Sequence, residues 1–174
     1  MRTRTPAALV LSSLLGVALA GCGGAQVQRQ GGPFAGDAAN ATYLIEGQQV
    51  RLTGGRSTTG EGDAAAETQL TDGRLEGDLD GDGATDLVVV VARDTGAGAS
   101  FHLAALLSEG TGTRPIASAP LGERLVVKNL AFDGADIKLR LVVRDPENAD
   151  PRPSKIVERR FRFQGGALLA LDAE

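Results

Sequence analysis

Gly77-Asp78-Leu79-Asp80-Gly81-Asp82-Gly83-Ala84-Thr85-Asp86-Leu87-Val88-Val89-Val90-Val91-Ala92 changes character midway, from aspartate and glycine to an unbroken apolar run. The second half decides the fold. Six apolar residues with four successive valines, bounded by Asp86 and Arg93, are the pattern of a strand buried on both faces. The first half spaces its carboxylates as Asp-x-Asp-x-Asp-Gly-x-x-Asp. Four aspartates within nine residues repel one another well inside a Debye length of ~8 Å. A divalent cation removes that repulsion, and calcium takes six to eight oxygen ligands at ~2.3–2.6 Å. Asp78, Asp80 and Asp82, at alternate positions of a tight loop, can converge on one ion. Gly83 supplies the turn that points the backbone carbonyl of Ala84 inward, and Asp86 completes the set directly or through water. The other reading of the same residues is an unliganded Asp/Gly turn.

Outward from this stretch the pattern stays β. Thr42 to Ile45 and Gln49 to Leu52 flank Glu46-Gly47-Gln48 as a hairpin. Gly54 to Ala66 reads as a polar loop, and Asp72-Gly73 as a turn between Thr68–Thr71 and Arg74–Glu76. Ser100 to Ser108 reads as a strand with Phe101, Leu103, Ala105 and Leu107 on one face. Asp133-Gly134 joins Leu125–Phe132 to Asp136–Arg144, in which Ile137, Leu139, Leu141 and Val143 alternate with polar residues. Three prolines make 145–154 a loop, and Lys155–Phe163 pairs with Ala167–Leu171 around Gln164-Gly165-Gly166. No segment beyond residue 40 sustains helical periodicity. The expected fold is all-β, a single antiparallel β domain over 41–174, built as a sandwich or a strongly twisted sheet.

The acidic loop departs from an EF-hand: position 12 is Val89 instead of a bidentate glutamate, and a strand follows instead of a helix. It resembles the calcium loops of FG-GAP and VCBS repeats, found in integrin-like propellers and many exported bacterial proteins, where a strand of the type seen at Asp86 to Val90 follows the loop. The resemblance covers Arg74 to roughly Gly112. It implies a structural Ca2+ site of weak extracellular type, with a Kd around 10⁻⁵–10⁻³ M. One copy of the loop and no repeat period exclude a propeller.

The N-terminus is basic at Arg2 and Arg4 and apolar from Ala7 to Ala20. That run would cover only ~21 Å as a helix, short of a ~30 Å bilayer core, and has the layout of a secretory signal over 1–21. Leu19-Ala20-Gly21-Cys22 follows and holds the only cysteine of the chain. It resembles the lipobox of bacterial lipoproteins, which implies cleavage between Gly21 and Cys22 and a covalent diacylglycerol with further acyl lipid on Cys22. Several acyl chains anchor a protein durably where one does so marginally. The expected location is the cell envelope, lipid-anchored to a membrane. Gly23 in place of an aspartate favours the outer membrane if there is one, with the domain in the periplasm or at the cell surface. Residues 22–40, rich in Gly, Gln and Ala, read as the lipidated cysteine and a flexible tether.

Removing 1–21 leaves 16 basic and 22 acidic residues, a formal charge of −6. An acidic balance argues against nucleic acid as a partner. Arg159, Arg160 and Arg162 come near to a patch, but alternation divides them between two strand faces. With its cysteine lipidated the domain has no disulfide, and a metal is an alternative brace. The sole histidine, His102, lies in a strand with no nucleophile motif around it, and no tryptophan offers a sugar platform. The expected role is non-enzymatic: an envelope lipoprotein used for binding or support, with an unidentified envelope protein as possible partner. The alternative is a small metal-dependent hydrolase using the Asp78–Asp86 cluster, with His102 or an arginine close by.

Overall fold

The structure is a computed structural model that describes residues 32–62 and 65–171. The signal segment, Gly21 and Cys22 lie outside the described residues. Among the described residues eleven strands run in chain order: β1 Thr42–Ile45, β2 Gln48–Arg51, β3 Arg56–Thr59, β4 Ala66–Gly77, β5 Asp86–Asp94, β6 Ala99–Glu109, β7 Gly112–Glu123, β8 Val126–Asp133, β9 Asp136–Arg144, β10 Pro153–Gln164 and β11 Ala167–Leu171. The domain is all-β. Its strands form one curled sheet in the order β3-β4-β5-β6-β7-β11-β10-β9-β8, with the β1–β2 hairpin attached at β7. Pairing is antiparallel except where β7 meets β1 and β11 in parallel.

The curl brings β8 over β4: a Cβ added at Gly77 would stand 2.5 Å from the Phe132 ring. Inside it, Val88, Val90, Leu103, Leu107, Ile116, Ile137, Leu139, Leu141 and Phe161 form one core. The other face of β5 and β6, with Leu87, Val89, Val91, Ala104 and Leu106, is buried under Tyr43, Ile45, Val50, Leu52 and Phe34. The valine run is thus buried on both faces, half its side chains in each core. Every residue of both clusters falls between 34 and 168, so a chain starting at residue 23 retains the whole apolar core.

Three local readings differ from the sequence pattern, and one strand forms in a stretch to which that pattern assigns no element. Arg56–Thr59, expected in a loop, pairs with Ala66–Gln69 as β3, because the neighbouring β4 edge offers its backbone groups to a polar strand as readily as to an apolar one. Asp72-Gly73 does not reverse the chain but bulges within β4, where the register steps from Leu70↔Val91 to Arg74↔Val89. The long β5 holds that bulge, and Thr71 Oγ1 donates to the Val90 carbonyl at 2.9 Å. Gly112–Glu123 forms β7 despite Pro115 and Pro120, with register shifts against β6 beside the prolines. Ala117, freed in one of these, meets both Leu44 and Ala167 and so joins the two halves of the sheet. Finally, the packed domain begins at Phe34 rather than Ala41. The end of the expected tether is docked: Phe34 is buried, its amide donates to Glu76 at 2.9 Å, and Arg74 lies over its ring. One aromatic residue in a polar stretch is enough to hold it.

The other turns fall where the residues place them. Glu46 and Gly47 both have positive φ, 52° and 78°, as a two-residue type I′ connection requires. Arg159 reaches the Leu121 carbonyl on one side of β10, and Arg160 and Arg162 pair with Asp133 and Asp136 on the other, the division that alternation predicts.

Candidate metal loop

The aspartate-rich loop connects β4 to β5, and its anchor is Asp86, the first residue of β5. This carboxylate is 1% exposed. Its Oδ2 accepts the Leu79 amide and its Oδ1 the Ser108 amide, both at 2.8 Å. Ser108 Oγ donates to the Thr85 carbonyl at 2.6 Å. Asp86 therefore fastens the start of the loop and the end of β6 to the base of β5. Burial pushes its carboxyl up from the ordinary range, the Ser108 and Leu79 amides hold it down, and the charges of Asp80 and Asp82 push it up further.

Within the loop, Gly81 and Gly83 have φ of 84° and 87°, which tightens the chain at no steric cost. Asp78 accepts the Gly81 and Gly83 amides at 2.7 and 3.0 Å. Carboxylate oxygens of Asp78, Asp80 and Asp86 lie within 4.8 Å of one another. Three of the expected ligands thus come together. Asp82 lies outside that group: it is exposed, and its Oδ1 turns back to the Ala84 amide at 2.7 Å. A carboxylate oxygen has two lone pairs, so the oxygens already bonded to amides keep capacity for an ion. This donor set, all oxygen and mostly anionic, suits a hard divalent cation.

Ser108 is the residue that sequence reasoning missed. It stands 22 positions from Asp86, and nothing in the local pattern marks it. A cleft of about 380 Å³ adjoins the loop, lined by Asp78, Asp80, Phe132, Arg162 and Phe163 among others. Arg162 Nε is already bonded to Asp136 at 2.6 Å.

His102 is remote from the loop. Ser108 lies six positions further along β6, about 20 Å at ~3.3 Å per residue. It sits 3% exposed at the other end of the sheet, where Ser100 Oγ and Glu46 Oε1 face its Nε2 at 3.1 and 3.6 Å. A nucleophile relay needs serine and carboxylate on opposite ring nitrogens. Here they share one. Arg93, 3.6 Å from Glu46, completes a polar cluster that fastens the β1–β2 turn to the sheet.

Burial holds the His102 imidazole below its ordinary range, the Glu46 carboxylate pulls it up, and Arg93 pushes it down. The unfolded chain takes up a proton near pH 6.5 while the folded chain resists, so the contribution of His102 is complete above that pH and lost as pH falls. The melting temperature should drop between pH 7 and 5, with a steeper slope than that of His102→Gln. Equal slopes would show that His102 does not govern this range.

No protein-family model, curated protein or solved structure matches the chain.

Proposed function

We propose that the protein is a lipid-anchored envelope lipoprotein whose β domain is braced by a structural calcium ion and serves as a binding or accessory module. The observation that carries the calcium reading is the convergence of Asp78, Asp80 and Asp86 around a loop that Asp86 already ties to β6. These three would hold the ion, which supplies positive charge to offset their repulsion. Since Asp86 touches both ends of the loop and the next strand, an ion there would strengthen the β4–β5–β6 unit, not a catalytic step. The lipid anchor is supported by Leu19 to Cys22 alone.

Calcium is tested on residues 23–174 by thermal unfolding with chelator and then with rising calcium. At a hundred times Kd, mass action adds about 2.7 kcal/mol. The wild type should therefore melt several degrees higher in calcium, and the Asp80→Ala/Asp82→Ala variant should not shift. A wild type indifferent to calcium would end the metal reading. The anchor is tested by the mass of Cys22-containing peptide from the envelope fraction, which should carry diacylglycerol.

The cleft with Arg162 is the one observation on the side of a metal-dependent hydrolase. That reading would need a general base other than His102.

A further inference from the structure

The two outer faces of the curled sheet are finished differently. The outer side of β5 and β6 lies under the β1–β2 hairpin and Phe34. The outer side of β8 to β11 carries all three exposed large apolar side chains among the described residues: Val126, Ile156 and Leu169. Val126 is registered with Val142, and Val142 with Ile156, so an apolar row crosses three strands. Lys128 and Arg140 stand on one side of this row and Arg144 on the other, all three exposed.

The acids of strands β8 to β10 are already taken. Glu158 pairs with Lys138 at 3.1 Å, Asp133 with Arg160 at 2.8 Å and Asp136 with Arg162 at 2.6 Å. Lys128, Arg140 and Arg144 have no ion pair among the described residues. A chain that is acidic as a whole thus presents one face with surplus cations around a bare aliphatic row.

We propose that this face rests on an anionic lipid bilayer, with the three cations against the headgroups and Val126, Val142 and Ile156 at the acyl boundary. Charge complementarity requires a negative surface, and a second copy of the same face would meet it with like charge. Protein interfaces concentrate aromatic anchors in fitted pockets, and the exposed apolar side chains here are all aliphatic. Aliphatic side chains ringed by Lys and Arg are the chemistry of interfacial lipid binding. The proposal rests on the membrane-anchored reading for its setting alone.

The test is flotation of unlipidated residues 23–174 with phosphatidylcholine vesicles, with and without about one third phosphatidylglycerol. Binding is expected only with the anionic lipid, and it should weaken as salt rises. Lys128→Gln/Arg140→Gln should lower the partition coefficient about 20- to 30-fold, at two surface cations each contributing roughly fivefold. Ile156→Ser should weaken binding at unchanged melting temperature, and Arg56→Gln, on β3, should leave it unaltered. Equal binding to neutral vesicles, or indifference to these face variants, overturns the proposal. So does capture by polyglutamate without vesicle binding, which would assign the face to an acidic polypeptide. Because the tested chain carries no lipid, its result stands apart from the acylation of Cys22.

Discussion

Asp86→Ala will destabilise the protein by about 2–4 kcal/mol even in chelator, because it leaves the half-buried amides of Leu79 and Ser108 without their acceptor, at ~1–2 kcal/mol each. For a domain of this size that lowers the melting temperature by on the order of 10 °C. Asp86→Asn should cost less. Its carbonyl can accept one amide, but its NH2 meets the other donor to donor, so about half the loss remains. Asp80→Ala, at an exposed position, should change little in chelator and should lose the response to calcium. These three variants separate two roles that one aspartate cluster combines. If Asp86→Ala matched wild type in chelator, the carboxylate would not be the latch that its hydrogen bonds describe. If Asp80→Ala kept the calcium response, the ion would sit elsewhere.

Tyr43→Ala is the second large effect, at about 3–5 kcal/mol. Tyr43 is fully buried over the outer face of β5, and its hydroxyl donates to the Ala38 carbonyl at 2.9 Å. Truncation opens a cavity in the second core and leaves that carbonyl without its partner. Tyr43→Phe removes only the hydrogen bond and should cost about 1 kcal/mol. Urea unfolding of the three chains measures both steps. A small loss in Tyr43→Ala would mean that the hairpin is an appendage; a large one makes it the lid of a core that the sheet cannot close by itself.

Because β5 is apolar on both sides, exposing either would cost roughly 25 cal/mol per Å² of uncovered apolar surface. The hairpin supplies one cover and the curl of the sheet the other. This explains why Phe34, ahead of the expected domain boundary, is held in place: it extends the same cover, clamped by Glu76 and Arg74.

Much of this architecture is legible in the sequence because its signals are local. Alternation along Asp136 to Arg144 depends only on the two-residue period of a strand, and the turn at Gly165-Gly166 depends on the positive φ that glycine tolerates. The carboxylates converge on one side for the same reason: Asp78 and Asp80 are two residues apart on a chain that Gly81 and Gly83 bend. What misled was equally local. Asp72-Gly73 has turn chemistry, but continuous pairing along β5 outweighs it and leaves a bulge. The prolines of β7 are accommodated by register shifts against β6, and its neighbours on both edges hold the strand.

The sequence by itself determined the all-β class, the doubly buried β5 and the position of the acidic loop, since periodicity, β-branching and charge spacing act within a few residues. Tertiary structure alone decided what covers β5, that Asp82 turns away while Ser108 holds Asp86, and that Glu46, Arg93 and His102 meet. It also decided which sheet face stays bare. Each of these brings together residues tens of positions apart, and their approach is set by the curl of the whole sheet, which no short stretch of chain encodes.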